Sequence, residues 1–188
     1  MDKMLQLSPE QLISRYDLVL QLDASGNPTG IVHIRNVSLC RADDAQPIIR
    51  AAKPEIMAVL LERRAAEERA AEEKAAKIAA IPGLQEIQAA QADLARWQQE
   101  WDDSFEGEGG GGVGVRKKPE YDLPALCRAY PLAAAYLEAE EFSLSYNYTK
   151  ASAGSDALNA LLDGADPAQT LKSMRAKWAA YVNEHAWD

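Results

Sequence analysis

Large apolar residues recur at steps of three, four and seven between residues 84 and 105. This spacing places them on one face of an α-helix, while the glutamines of the same stretch fall largely off that face. Because an apolar helix face must be covered, the pattern predicts an amphipathic helix with a packing partner. The apolar positions are Leu84, Ile87, Leu94, Trp97, Trp101 and Phe105.

The stretch before it, residues 62–77, holds five acidic and five basic residues, and alanine is its only apolar type. These are strong helix formers, and opposite charges four residues apart add about 0.2–0.5 kcal/mol per pair. We therefore expect a long charged helix whose middle is either a solvated arm or a face that contacts a partner. The expected pairs are Arg64 with Glu68, Arg69 with Glu73, and Glu73 with Lys77.

The two helical patterns meet at Pro82 and Gly83. Proline removes a helix hydrogen bond and clashes with the preceding turn, and glycine beside it lets the backbone reverse. The sequence therefore predicts two antiparallel helices, or one helix with a sharp kink. The apolar face of the second helix would pack against the ends of the first.

The N-terminal residues show the pattern of short β-strands. Residues 16–23 alternate between apolar and polar types, residues 31–39 are rich in β-branched types, and a turn sequence at residues 25–30 separates them. This predicts a β-hairpin, with a third short strand at residues 37–40. A lone hairpin is marginal in water, so it needs a covering helix. Its apolar face would be Leu18, Leu20 and Leu22, covered by Ile48, Ile49, Ile56 and Leu60.

Helix starts are marked by capping residues followed by proline. Ser8 precedes Pro9 and has Gln11 three residues on, and Asp166 precedes Pro167 in the same way. Together with apolar spacing, these marks predict a short N-terminal helix and four C-terminal helices at residues 122–129, 132–142, 155–163 and 167–186. Their expected core is Leu123, Leu126, Leu132, Tyr136, Leu137, Leu158, Leu161, Leu162, Leu171, Met174, Trp178, Tyr181 and Val182.

The predicted fold is mostly α with a small N-terminal β-hairpin (α+β). Four segments are expected: residues 1–53 with a short helix and the hairpin, residues 54–106 with the central helical hairpin or kinked helix, a linker at residues 107–119, and a C-terminal helical domain at residues 120–188. Six of the eight residues from 107 to 114 are glycine. A phosphate-binding loop is the alternative to a linker, but Gly-Lys-Ser or Gly-Lys-Thr and a preceding strand are missing.

Composition narrows the class of protein. The formal net charge is −9, and residues 54–106 alone carry twelve acidic and six basic residues. No apolar run approaches the ~20 residues that a membrane span needs, and the N-terminus lacks a secretory pattern, so we expect a cytoplasmic protein with no membrane contact. Cys40 and Cys127 lie far apart and are expected to be reduced structural thiols.

The sequence carries no motif of known catalytic chemistry. His33 and His185 have no thiol or second histidine nearby in sequence, and metal-ligand spacings and nucleotide fingerprints are missing. We therefore expect no catalytic residues, no metal and no cofactor, and a protein that is not an enzyme. Residues 143–150, rich in tyrosine and hydroxyl side chains, form either a small-molecule pocket or an ordinary connection between helices.

An acidic and aromatic segment precedes the glycine run. Three large aromatic residues lie there among five carboxylates, and exposed aromatics surrounded by acids suit recognition of a basic partner. The alternative is that the aromatics are core and the acids face water. The predicted partner-binding residues are Trp97, Glu100, Trp101, Asp102, Asp103, Phe105, Glu106 and Glu108.

Direct binding to nucleic acid is not expected. Such binding needs clustered Lys and Arg, and the one basic cluster, residues 116–118, follows an acidic helix that repels a polyanion over a Debye length of ~8 to 10 Å. The expected partner is a basic host protein or ribonucleoprotein complex. A homodimer through the central helices is the other expectation.

Four short sequences occur together: Ala-Lys-Pro-Glu-Ile at residues 52–56, Ile-Pro-Gly-Leu at residues 81–84, the glycine run, and His-Ala-Trp-Asp at residues 185–188. In style and spacing the chain resembles small accessory proteins of phages and prophages of gut bacteria. The resemblance implies a role in host interaction, as in anti-CRISPR proteins and other anti-defence inhibitors that occupy nucleic-acid-binding surfaces. The competing hypothesis is a structural coiled-coil homo-oligomer of the phage-scaffold type.

Overall fold

A computed structural model describes residues 7–104 and 116–185 of the chain. It divides into two compact units, Met1–Glu73 and Lys74–Asp188. The elements are α1 (Pro9–Tyr16), β1 (Leu18–Leu22), β2 (Pro28–Ile34), α2 (Val37–Ala42), α3 (Gln46–Ala51), α4 (Lys53–Ala79), α5 (Leu84–Asp103), α6 (Leu123–Ala129), α7 (Pro131–Ser143), α8 (Tyr148–Leu162) and α9 (Pro167–Glu184). The predicted class, mostly α with a small N-terminal β-hairpin, is confirmed.

The first unit is built around the hairpin. β1 and β2 are antiparallel, with Leu18 opposite Ile34, and the register shifts between Leu20 and Leu22. Short helices cover the hairpin because a two-stranded sheet alone buries too little apolar surface to be stable. The core, which includes the predicted covering residues, comprises Leu12, Ile13, Tyr16, Leu18, Cys40, Ala45, Ile49 and Ile56, with Ile48 and Leu60 packed against it.

Two predictions for this unit are wrong. Residues 37–40 form the start of helix α2 and not a strand, because the side chain of Asn36 accepts a hydrogen bond from the backbone N–H of Leu39 and caps a helical turn. Leu22 is 45% exposed and lies outside the core, since the register shift after Leu20 interrupts the alternation of the strand.

A carboxylate joins α1 to the end of α2. Oδ2 of Asp43 accepts hydrogen bonds from the Nε and NH2 groups of Arg15, at 3.0 and 2.7 Å, and from the hydroxyl of Tyr16 at 2.9 Å. The hydrogen bond from Arg15, and then the one from Tyr16, holds the pKa of Asp43 below its usual value. The phenol ring of Tyr16 is fully buried, so this network fixes a core residue.

The pH dependence of stability should report this network. A carboxylate whose pKa is lowered on folding stabilises the protein above its unfolded pKa of about 4, and the contribution is lost as the pH falls through the folded pKa. We expect Asp43→Asn to lower the melting temperature at pH 7 and to have a smaller effect near pH 2. Asp44→Asn, which changes the neighbouring exposed carboxylate, is the control. An effect of Asp43→Asn that is equal at both pH values would contradict the expectation.

Helix α4 confirms the predicted long charged helix. Ile56 is its one buried residue among those described, and residues 65–77 are exposed. The predicted pair of Arg64 and Glu68 forms at 2.7 Å, and Nε of Arg69 donates to the carbonyl of Ala65. The helix is therefore held by its apolar N-terminal turns and by its own backbone propensity.

The predicted break between the central helices is present. α4 ends at Ala79, Gly83 adopts φ 74°, and α5 begins at Leu84. Ile78 and Ile81, at the predicted end of the charged segment, belong to the same core as α5, which also has further partners. Its buried residues Leu84 and Ile87 join the core of the second unit, where α5 contacts α6 and α7.

The second unit is a helical bundle in which α7, α8 and α9 pack on one another. Asp166 caps α9 as predicted, and Asp122 caps α6, each accepting a hydrogen bond from a backbone N–H in the first turn. Most of the predicted core is confirmed as buried or partly buried. The buried core of this unit, which also contains residues outside that prediction, is Ile81, Leu84, Ile87, Ala133, Ala135, Tyr136, Ala139, Ala153, Ala157, Leu161 and Met174.

Two details of the bundle differ from the predictions. Helix α8 begins at Tyr148, two turns before the predicted Ser155, because Asn147 supplies the cap. Val182 is 42% exposed and is not a core residue. Beyond Met174 the apolar side of α9 instead carries a chain of stacked rings, in which Trp178 contacts Tyr181 and Tyr181 contacts His185.

Both cysteines are free thiols, as predicted, and burial raises the pKa of Cys40. Among the described residues, none of the helices has the length and apolar character that would let it cross a membrane. The glycine run and the linker role predicted for it lie almost entirely outside the described residues, so that role stays a prediction. The same holds for the predicted division into four segments.

Candidate functional site

The C-terminal half of α5 presents aromatic and acidic side chains on one side. Asp93, Trp97 and Glu100 are four and three residues apart and thus share a helix face, and Trp101 adjoins it. The rings of Trp97 and Trp101 stack, with centroids 5.6 Å apart and planes at 27°. Trp101 is 38% exposed. We call these four residues the acidic-aromatic face.

The acidic-aromatic face binds a basic side chain from further along the chain. NH1 of Arg116 lies 2.7 Å from Oδ1 of Asp93, and Nε of Arg116 lies 3.0 Å from Oε2 of Glu100. The NH2 group of the same guanidinium donates to the backbone carbonyl of Asp93 at 3.1 Å. Arg116 therefore bridges two carboxylates across two helical turns.

Three further contacts continue this arrangement. The indole Nε1 of Trp97 donates to the backbone carbonyl of Arg116 at 2.9 Å, and Nζ of Lys118 lies 5.3 Å from the centroid of the Trp97 ring. The hydroxyl of Tyr121 lies 3.3 Å from Oδ2 of Asp93. A short basic segment thus follows the helix face with alternating ionic and aromatic contacts.

Opposite charges at the site stabilise the ionised forms of Asp93 and Arg116. The hydrogen bond from Arg116 lowers the pKa of Asp93, and the hydrogen bonds to Asp93 and Glu100 raise the pKa of Arg116. The face is therefore built to hold a cation.

The predicted partner-binding residues divide into three groups. Trp97, Glu100 and Trp101 are brought together on the acidic-aromatic face. Asp102 and Asp103 are exposed beside it, and Oδ1 of Asp102 accepts a hydrogen bond from the side-chain amide of Gln98 at 2.8 Å. The last group, Phe105, Glu106 and Glu108, lies outside the described residues.

Sequence reasoning missed Asp93, Arg116 and Lys118. Helix spacing could have predicted that Asp93 lies beside Trp97, because the two residues are four positions apart. The approach of Arg116 could not have been predicted, because the residues between α5 and the basic segment are rich in glycine and have no periodic pattern that predicts where the chain returns. Treating residues 116–118 as part of a linker hid their role.

Of residues 143–150, Leu144 lines a cavity together with Ile87 and Cys127. Tyr146 and Tyr148 are 110% and 86% exposed, so their rings project into solvent. His33 is exposed, and the ring nitrogen Nδ1 of His185 lies 2.9 Å from the carbonyl of Tyr181. Within the described ranges, His, Cys, Asp and Glu side chains form no group of three that could hold a metal ion.

By its fold the chain is a mostly helical protein with one small antiparallel hairpin. No protein-family model, no curated protein and no solved structure matches it. The argument for function therefore rests on the geometry of the acidic-aromatic face and on the charge of the chain.

Proposed function

We propose that the protein is an acidic, non-enzymatic binding protein of a phage or mobile element, and that it inhibits a host nucleic-acid-handling defence complex by protein–protein contact, as anti-CRISPR proteins do. The observation that carries the proposal is the stacked pair of Trp97 and Trp101, partly exposed beside the carboxylates of α5. The partner would be a basic host protein or a ribonucleoprotein complex.

The position of the tryptophan pair supports a recognition role. Tryptophan is enriched among residues that dominate binding energy, because its ring buries a large area at a low cost in side-chain entropy. The N-terminal half of α5 is anchored in the core through Leu84, Ile87 and Ala90. The pair is therefore presented from a rigid element and does not need to be ordered when a partner binds.

The charge of the chain supports a basic partner. With a net charge of −9, the protein attracts a positively charged groove and repels DNA or RNA directly. Defence complexes bind nucleic acid through such basic grooves, and an acidic protein that occupies one excludes the nucleic acid. Charge also speeds association, so binding should weaken as salt is raised.

The alternative of a coiled-coil scaffold has less support. Alanines of α4 occur in pairs at residues 65–66, 70–71 and 75–76, a repeat of five residues. Five residues turn an α-helix by about 140° beyond one full rotation, so successive pairs face different directions. A coiled coil needs an apolar seam with a repeat of seven, which these alanines do not supply.

The test is a transformation assay in bacteria that carry an RNA-guided nuclease directed against a plasmid. Expression of the protein should restore transformation by the targeted plasmid in at least one strain of a panel covering several nuclease types. Trp101→Ala, and separately Asp102→Asn with Asp103→Asn, should abolish most of the restoration.

Tyr146→Ala is the matched control, because it removes another exposed aromatic ring from the same unit. It should leave the restoration unchanged. Failure of the wild-type protein across the whole panel would refute the anti-defence role. Tight binding of the purified protein to duplex DNA at physiological salt would refute the protein–protein mechanism.

A further inference from the structure

The acidic-aromatic face already holds a peptide segment, and that segment belongs to the same chain. Residues 116–120 are neither helix nor strand, and they contact α5 through Arg116 and Lys118. Their side chains contact the carboxylates and the tryptophan ring that a basic partner would contact. The occupant therefore shows which chemistry the face accepts.

Each contact uses a group that any basic peptide carries. The guanidinium of Arg116 bridges Asp93 and Glu100, and its backbone carbonyl accepts the indole N–H of Trp97. Two residues on, the ammonium of Lys118 lies over the indole ring. An irregular or extended segment with Arg followed two residues later by Lys can make all of these contacts from another protein.

The occupant holds the face without sealing it. The side chains of Arg116 and Glu100 keep 39% and 42% of their surface exposed. A groove remains between Leu94 of α5 and the segment, lined by Lys117, Lys118, Pro119 and Tyr121. Exposed ion pairs are weak individually, so a partner that makes additional contacts can displace a segment held by them.

We propose that residues 116–118 are an internal pseudo-ligand, which a partner's basic segment with the order Arg-x-Lys must displace from the acidic-aromatic face. This inference rests on the proposed function, because it names the class of partner for that same face. Since the tethered segment competes at a high local concentration, short basic peptides are rejected. Only a partner with additional contacts displaces it, and this gives selectivity.

The probe is the peptide Arg-Lys-Lys-Pro-Glu-Tyr, which copies residues 116–121. It is titrated into the full-length chain while NMR follows the indole N–H resonance of Trp97. The double variant Arg116→Ala with Lys118→Ala vacates the face, and we expect it to bind the peptide at least about tenfold more tightly than the wild type. Adding Asp93→Asn and Glu100→Gln to that variant should remove the gain.

Lys117→Ala is the matched control. It removes one positive charge from the same segment, as Lys118→Ala alone does, but the Lys117 side chain is 84% exposed and pairs with Glu120. Its peptide affinity should equal that of the wild type. If the double variant proves unstable by circular dichroism, Lys118→Ala alone should still increase the affinity, because it removes only the ammonium over the ring.

Equal affinity of the wild type and the vacated variants for the peptide would overturn the inference. An equal gain for Lys117→Ala would overturn it as well, since net charge alone would then explain the effect. A different result would refute the proposed function without refuting the pseudo-ligand. If the vacated variants bind the peptide more tightly while the wild type restores no transformation, the pseudo-ligand stands and the anti-defence role does not.

Discussion

Replacing Gly154 with Ala is expected to lower the free energy of unfolding by about 1 to 3 kcal/mol, as an overpacked core does. A Cβ atom at this position would lie 2.3 Å from the backbone nitrogen of Ser143 and 2.7 Å from the carbonyl oxygen of Ala139. These are main-chain atoms of α7, so no side chain can rotate away. The two helices would have to separate.

The expected loss of stability is opposite in sign to the effect of helix propensity. Within a helix, Ala is favoured over Gly by about 1 kcal/mol, so an exposed position would gain stability. At Gly154 the clash exceeds that gain because α7 and α8 approach through small residues, among them Ala139, Ala153 and Ala157. Thermal unfolding followed by circular dichroism should show a melting temperature lower by on the order of 10 °C.

Ser155→Ala provides the control for this measurement. Ser155 is the next residue of α8 and is exposed, so the substitution changes helix propensity without adding a contact. It should leave the melting temperature unchanged or raise it slightly. If Gly154→Ala is as stable as Ser155→Ala, the close approach of α7 and α8 is not real.

Gly154 also shows why the start of α8 was misplaced. In the sequence, Ser152, Gly154 and Ser155 look like a connection followed by a capping serine. The structure continues the helix through them from the Asn147 cap, because the glycine is needed for contact with α7. Local composition cannot distinguish a glycine that ends a helix from one that packs against a neighbour.

Elements whose causes are local were predicted well. The Ser8 capping box and the Asp166 cap each depend on residues within about four positions of one another, so the sequence contains their whole cause. The hairpin turn was predicted at residues 25–30, whereas β2 already begins at Pro28. The apolar face of α5 was predicted from its spacing. Which helices would cover it was not, since α6 and α7 lie beyond the glycine run.

The residues of the acidic-aromatic face also divide into those that local sequence predicts and those that depend on long-range contacts. Trp97, Glu100 and Trp101 were identified because helix spacing and composition place them together. The role of Arg116 depends on a long-range contact between residues 23 positions apart. Basic residues after a glycine run have no fixed position in a sequence-based argument, and the contact appears only when the chain is folded.

Replacing Gly83 with Ala is expected to cost about 2 to 4 kcal/mol of unfolding free energy, from two separate causes. Gly83 has φ 74°, a conformation in which a Cβ costs about 1 to 2 kcal/mol. In addition, the new Cβ would lie 2.1 Å from Cγ of Tyr130. Cγ is the first atom of the ring and stays in place when the ring turns about the Cβ–Cγ bond, so the whole ring must be displaced.

The two causes can be separated by matched variants. Gly164 has φ 89° and open space around its Cβ position, so Gly164→Ala measures the backbone cost alone. Pro82→Ala, at an exposed position of the same corner, should have little effect. Gly83→Ala should therefore be clearly more destabilising than either one in thermal unfolding.

A double-mutant cycle with Tyr130→Ala completes the argument, because removing the ring removes the clash and leaves the backbone cost. In that background Gly83→Ala should cost about as much as Gly164→Ala does in the wild type. Tyr130 also interacts with Glu86 of α5, whose hydrogen bond raises the pKa of Tyr130. The ring thus fixes the start of α5 from two sides, at Gly83 and at Glu86. Additive effects of the two substitutions would show that Tyr130 does not pack on the corner.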